Sequence, residues 1–314
     1  MNRREFLVSA GAVTLLQGCR SFDLFGAPEM SFGVVSDPHV TTPKSAALLE
    51  KSFRFFKRRG VDAVMVPGDI TDWGVRPSLV YVRDAWNRVF AGTGVTPLFC
   101  TGNHDFDGWC YGDMTMEMHA NGYSEADRLV KRGMDVSWED IFGVKFAGIR
   151  RRRVKGYDFI SGEWRGYEDL SGWMAQNGAS LKGGRPFFYF QHLPIKGTTS
   201  DSSGWADNGL TKPVLAQFPN CVAFTGHQHH PFIDERSAWQ GEFTVFAVPS
   251  LSYASLPSGF ENGEGPRNGK SKQAMRIVPA RRDLRGGQGF VVNVWPDRVA
   301  VERWDMEEEE SDCP

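Results

Sequence analysis

Five short apolar runs in this chain each end in side chains that bind cations, and that arrangement restricts the fold more than any other feature of the sequence. The run Ser31–Ser36 leads into Asp37-Pro38-His39. Val61–Val66 leads into Gly68-Asp69-Ile70-Thr71-Asp72, and Val95–Cys100 into Gly102-Asn103-His104-Asp105. Further on, Phe187–Gln191 delivers His192, and Cys221–Phe224 delivers Gly226-His227-Gln228-His229. Helical periodicity separates the first three runs: Lys44–Arg59 places Ala47, Leu48, Phe53 and Phe56 on one stripe, and Ser78–Phe90 starts just after Pro77. Strand–helix–strand–helix–strand at this spacing predicts a βαβαβ unit with a parallel sheet. In such sheets the functional crevice lies beyond the carboxyl ends of the strands. Neighbouring strands about 4.8 Å apart bring their terminal side chains together.

The later segments continue the α/β pattern. Phe243–Val248 reads as a strand, Asp169–Ala175 and Lys212–Phe218 as helices, and Gly289–Val294 with Arg298–Trp304 as a closing antiparallel hairpin through Pro296-Asp297. We read one α/β domain over residues 31–305, with insertions near 106–139 and 261–288 and an acidic tail at 306–314. The chemistry of the clustered residues is specific. Asp, Asn and His without Cys suit divalent Fe, Mn or Zn in mixed oxygen and nitrogen coordination. Five of the seven histidines stand at these strand ends, with His119 and His230 outside the pattern. Gly68, Gly102 and Gly226 let the backbone turn sharply and come close to bound ions. Cys100, Cys110, Cys221 and Cys313 form no C-x-x-C pair, which argues against a thiolate site. Cys100 and Cys110 are either a disulfide or two isolated thiols. Lys and Arg number 36 against 38 Asp and Glu, a net charge of −2. This balance argues against a general nucleic-acid binder held by phosphate contacts.

The order D-x-H, G-D-x-x-D, G-N-H-D, H-x-P, G-H-x-H resembles the calcineurin-like metallophosphoesterase family, over roughly residues 31–246. The resemblance implies two packed β-sheets flanked by helices, with a dinuclear metal site at one edge of the sandwich. Asp37, His39 and His229 would hold one divalent ion and Asn103, His192 and His227 the other, with Asp69 bridging them. His104 would donate a proton to the leaving oxygen, oriented by Asp105. Asp72 stands where the purple acid phosphatase branch has Tyr, so no Tyr–Fe(III) colour is expected. Two cations about 3.5–4 Å apart neutralise phosphoryl oxygens and turn a bridging water into hydroxide at neutral pH. An imidazole can then protonate the leaving alkoxide. The implied activity is hydrolysis of small phosphomonoesters or phosphodiesters. A nuclease of the same family, and a surface lipoprotein whose metals only stabilise a binding platform, are the alternatives.

The amino terminus adds an address. Arg3-Arg4 followed by Phe6-Leu7 resembles a bacterial twin-arginine signal, and the apolar run to Leu16 is too short to span a bilayer as a helix. Leu16-Gln17-Gly18-Cys19 resembles a lipobox, so residues 1–19 are expected to be a signal peptide, Cys19 to be lipidated, and 20–30 to be a tether. Export and anchoring on the cell envelope follow. Trp73 follows the second motif, and Phe106, Trp109 and Tyr111 follow the third; they either stack on substrate at the cleft or cover the core. The 200–208 segment after His192 is a candidate rim. The run Arg150–Arg153 either binds anions or blunts a sheet edge with charge.

Overall fold

The computed structural model describes residues 5–9, 12–16, 26–106, 134–143, 148–162, 169–199, 206–232, 234–257, 275–277 and 287–306. The expected βαβαβ unit is present: β3 (Met30–Val34), α1 (Pro43–Arg58), β4 (Ala63–Pro67), α2 (Arg76–Phe90) and β5 (Thr96–Cys100), with β3, β4 and β5 parallel. α1 begins where Thr42 and Ser45 form a reciprocal capping box and Pro43 pre-sets the first turn, and it ends on Lys57 and Arg58. Its buried Leu49, Phe53 and Phe56 point to the sheet.

The two chain ends complete this first sheet. β14 (Gln288–Val294) and β15 (Arg298–Asp305) form the closing hairpin, and β14 pairs antiparallel with β3. On the far side of β15 lie β1 (Glu5–Ser9) and β2 (Ala12–Leu16), an antiparallel hairpin drawn from the segment expected to be the signal's apolar region. The strand order is thus β2-β1-β15-β14-β3-β4-β5. Cys19 and the acidic tail from Glu307 lie outside the described residues.

The second sheet comprises β6 (Arg150–Val154), β7 (Tyr157–Ser161), β8 (Phe187–Gln191), β9 (Cys221–Thr225), β10 (Ala238–Gln240) and β11 (Thr244–Ala247), in the order β10-β11-β9-β8-β7-β6. β7, β8, β9 and β11 are parallel, and β8 and β9 are buried at every position, as expected of strands covered on both faces. A two-strand ribbon of β12 (Ser255–Pro257) and β13 (Met275–Ile277) stands apart.

Side chains from the two sheets meet in a core rich in phenylalanine. Phe32 lies 5.1, 4.7 and 5.8 Å from Phe159, Phe188 and Phe224, and Phe246 and Phe290 extend the cluster. Outside the first sheet pack α1, α2 and α3 (Met134–Phe142); outside the second pack α4 (Leu170–Asn177) and α5 (Thr211–Leu215). The arrangement is two mixed sheets flanked by helices, as the motif order implied. Seven of the 23 Phe lie buried in this layer between the sheets.

The four-arginine run is β6, an edge strand. Its alternate members face opposite ways: Arg151 and Arg153 share Asp158, at 2.7 to 3.2 Å, while Arg150 donates to the Phe99 carbonyl of β5 at 2.9 Å. The run therefore blunts the edge and links it to the first sheet. Cys100 and Cys221 are buried free thiols, and Cys110 lies outside the described residues. No helix among the described residues is long and apolar enough to cross a membrane.

Phe32 touches three rings of the opposite sheet, so Phe32→Ala should cost about 3–5 kcal/mol. The measurement is the urea midpoint, which should fall sharply, and an unchanged midpoint would contradict the packing described.

Candidate metal centre

The carboxyl ends of β3, β4, β5, β8 and β9 all reach one edge of the sandwich, and the sequence-predicted residues meet there. One group comprises Asp37, His39, Asp69 and His229; a second comprises Asp69, His192 and His227. Within each, the ligand atoms lie within 4.8 Å of one another. Asp69 belongs to both. His192 Nε2 is 3.1 Å from Asp69 Oδ2, and His39 Nε2 is 3.8 Å from the same oxygen. His229 Nε2 lies 3.1 Å from both Asp37 Oδ1 and His39 Nε2. Asn103 joins the second group through Oδ1, 3.0 Å from His192 Nε2 and 2.9 Å from His227 Nδ1.

Backbone conformation aims these side chains. Among the described residues, six non-glycine positions have positive φ, and five of them are Asp37 (50°), His39 (46°), Asp69 (45°), His227 (74°) and His229 (54°). The left-handed conformation costs a residue with a Cβ about 1–3 kcal/mol and persists only where surrounding contacts enforce it. Those contacts are visible. Asp37 N donates to Gly68 O and His39 N to Asp69 O, the His104 N–H to Asp69 Oδ1 at 2.8 Å, and the His227 N–H to the Asp37 carboxylate at 3.1 Å. The motif glycines provide space. A Cβ on Gly102 would overlap the Asp69 carboxylate and backbone nitrogen, and one on Gly68 would overlap the His192 ring. Gly68 also needs its φ of 92°.

Hydrogen bonds behind the cluster fix its tautomers. His192 Nδ1 faces the Pro67 carbonyl at 2.9 Å, leaving Nε2 toward Asp69 and Asn103. His39 Nδ1 is bonded to Asp72 Oδ1, leaving Nε2 toward the first group. A histidine whose second ring nitrogen is held by a carbonyl or carboxylate is the usual form of a metal ligand. Charge follows the same geometry. Burial opposes charge on Asp37, yet the neighbouring His229, His192 and His39 hold its carboxyl far below the usual range. Burial also opposes a charged His192, but the Asp69 charge and hydrogen bond raise it to about 9. Burial and the adjacent His192 push His227 down to about 4. Buried carboxylates, imidazoles and one amide oxygen with open lone pairs form a donor set for borderline divalent ions, so the residues fit a metal pair.

His104 lies beside this cluster. Its ring contacts that of His39, with centroids 4.7 Å apart, and its side chain is 35% exposed. The expected partner, Asp105, is engaged elsewhere. The fully buried Asp105 carboxylate accepts from Ile70 N at 3.3 Å, Thr71 N at 2.8 Å, Thr71 Oγ1 at 2.9 Å and Gly102 N at 2.8 Å. It fastens the ends of β4 and β5 together. Burial and the charge of Asp69 raise this carboxyl to about 6. The carboxylate beside His104 is Asp72, whose Oδ1 lies 3.2 Å from His104 Nδ1.

The aromatic expectations also change. Trp73 is 6% exposed and belongs to the buried interior, so its faces are not offered to a ligand. Trp109, Tyr111, the Phe106 side chain and His119 lie outside the described residues, as do 200–205 of the candidate rim. His230 is held 3.3 Å from Asp234 in a buried network with Arg236. One residue at the centre carries no motif: Tyr253, in the loop after β11, whose ring centroid lies 4.1 Å from that of His229. The same strand-end rule applied to Phe243–Val248 points to its loop. A cavity of about 440 Å³ lies elsewhere, among Trp86, Phe99, Phe142, Phe159 and Arg150 at the β5–β6 edge, and has none of the cluster in its walls.

Comparison with known proteins agrees with this geometry. The family model for calcineurin-like phosphoesterases matches residues 30–231, so the chain belongs to that family. No curated protein matches the sequence. Among solved structures, a purple acid phosphatase from yellow lupin (Lupinus luteus) seeds superposes with a TM-score of 0.50 at 10% identity, covering 98% of this chain and 68% of that one. A dimetal phosphatase from Danio rerio gives 0.46 at 14% identity, covering 88% and 96%. GAP50, the anchor in the inner membrane complex of Plasmodium, gives 0.47 at 12%, covering 90% and 87%. Family membership implies a phosphate-ester substrate, a hydrolase and binding of two metal ions.

Because Asp69 belongs to both groups, Asp69→Asn should weaken both. Loss of outer hydrogen-bond partners alone typically costs about 10–100-fold in metal affinity, and loss of a shared ligand should cost at least as much. Metal per chain after dialysis against Mn²⁺ should fall from two to near zero, with the circular dichroism spectrum retained. Retention of two ions would refute the shared position.

Proposed function

We propose that this protein is an exported phosphoesterase that uses two divalent ions to hydrolyse small phosphomonoesters or phosphodiesters. The observation that carries the reading is the pair of ligand groups sharing Asp69, with the His104–Asp72 pair at their side. Asp37, His39 and His229 would hold one ion and Asn103, His192 and His227 the other, with Asp69 common to both. Bound divalent ions neutralise phosphoryl oxygens and lower the pKa of coordinated water. Fe, Mn and Zn all suit these donors.

The chain's own residues supply the remaining parts. Asp72 accepts from His104 Nδ1, which fixes the imidazole orientation and assigns proton delivery to Nε2. The same carboxylate oxygen holds His39, so ion binding and proton donation share one anchor. Asp105 acts further back, keeping Thr71 and Gly102 in register so that Asp69 and His104 stay adjacent. Phosphoryl transfer depends mainly on such positioning and electrostatics.

Export rests on the Arg3-Arg4 signal and the Cys19 lipobox. It is compatible with the fold because the β1–β2 hairpin joins only the outer edge of β15. Cleavage before Cys19 removes that hairpin and its pairing with β15, and leaves the β15–β14 and β14–β3 pairings in place. Twin-arginine export carries folded proteins, which suits a chain loaded with metal before it leaves the cytosol.

The activity is tested with p-nitrophenyl phosphate and bis-p-nitrophenyl phosphate in added Mn²⁺, with a chelator control. Chelator-sensitive release is expected, and no release at full metal occupancy would refute the enzyme reading. His104→Ala should keep two ions and lose about 10²–10⁴-fold in kcat on an alkyl phosphate, with a smaller loss on p-nitrophenyl phosphate, whose leaving group needs no proton. Unchanged alkyl phosphate turnover would remove His104 from that role.

A further inference from the structure

Tyr253 is 45% exposed although it packs on two imidazoles of the metal cluster. Among the described residues only Leu210 is another large apolar side chain left this open. Its ring centroid is 4.1 Å from His229, tilted by 51°, and 5.8 Å from His39, tilted by 33°. One side of the ring is thus set against ligands of the first group while the remainder faces outward. His104 borders the same His39 ring, so the aromatic surface and the candidate proton donor flank one imidazole.

The loop that carries this ring is built into the site. Ser250 pairs with Ser36 in an isolated bridge, Leu251 N donates to the Ser36 carbonyl at 2.9 Å, and Ser250 Oγ donates to the Asp37 carbonyl at 3.0 Å. The same hydroxyl accepts from Ser252 N at 3.1 Å and Tyr253 N at 3.4 Å. Tyr253 is therefore fixed relative to Asp37 by a fully buried serine, not carried on a free loop. A tyrosine ring loses little conformational freedom when a ligand packs on it, and aromatic faces contribute about 1–3 kcal/mol per stacked planar group.

We infer that Tyr253 is a substrate-binding residue: its open ring packs against the organic group esterified to the phosphate and favours planar, apolar groups over small ones. The phosphoryl group itself is left to the metal cluster, so Tyr253 sets specificity. The inference rests on the phosphoesterase reading for its substrate class, and its test does not require turnover.

The experiment is titration calorimetry of the Mn²⁺-loaded full chain with methylphosphonate and phenylphosphonate, which share the anionic head and are not hydrolysed. Wild type should bind phenylphosphonate about tenfold more tightly. Tyr253→Ala should bring the two within about twofold, with methylphosphonate affinity and metal per chain unchanged. Tyr253→Phe should keep the preference, since the ring and not the hydroxyl is the contact. An unchanged preference in Tyr253→Ala, or its loss in Tyr253→Phe, overturns the assignment. Hydrolysis measured in parallel separates the two readings. A wild type that shows the Tyr253-dependent preference but releases no p-nitrophenol from either ester loses the enzyme and keeps the aromatic subsite. One that turns over without the preference loses only the subsite.

Discussion

A single buried carboxylate organises this molecule. Asp69 is placed at the end of β4 in a left-handed conformation, accepts the backbone N–H of His104, meets the ring of His192, and tolerates no side chain at Gly102. A buried carboxylate without compensating partners is strongly disfavoured. The strand ends around it are therefore committed to donors and to residues that take a cation. Asp105 performs a second, hidden part of the same task by accepting four hydrogen bonds from the loops that present Asp69 and His104. Nothing in that arrangement improves the hydrophobic core. It is a polar structure maintained at one edge of a sandwich whose stability comes from the phenylalanine layer between the sheets.

Much of this was legible in the sequence because strand-end chemistry is local. An apolar run followed by Asp, Asn or His specifies both the strand and where its ligand emerges, and β8 and β9 begin at Phe187 and Cys221 as read. Three features were not legible. Asp72 and Asp105 are the closing carboxylates of their two motifs, and only tertiary packing decides that Asp72 reaches His104. Trp73 sits next to Asp72 in sequence, yet its indole turns into the interior. The β6–β7 hairpin was obscured because arginines occupy both faces of β6, hiding the alternation that marks a strand. Its Lys155-Gly156 turn, with φ of 45° and 85°, was a local signal for it.

Near-neutral composition also acquires a meaning. Arg150, Arg151 and Arg153 of β6 are engaged with Ser161, Phe99 and Asp158, away from the cluster. Among the described residues the centre is lined by carboxylates, imidazoles and an amide oxygen, a donor set to which bound cations would add the positive charge that a phosphate ester requires.

The two ligand groups also join the two sheets. The first takes Asp37, His39 and Asp69 from the ends of β3 and β4 and His229 from beyond β9; the second takes Asn103 from beyond β5 and His192 and His227 from beyond β8 and β9. Each group therefore draws ligands from both sheets, and an ion held there cross-links the layers where the phenylalanine core ends. Cations that bind the folded chain and not the unfolded one add stability by mass action, about 2.7 kcal/mol at a hundredfold excess over Kd. That contribution offsets part of the cost of five left-handed ligand residues, each worth about 1–3 kcal/mol. The strain is thus borne at the positions where binding returns the most.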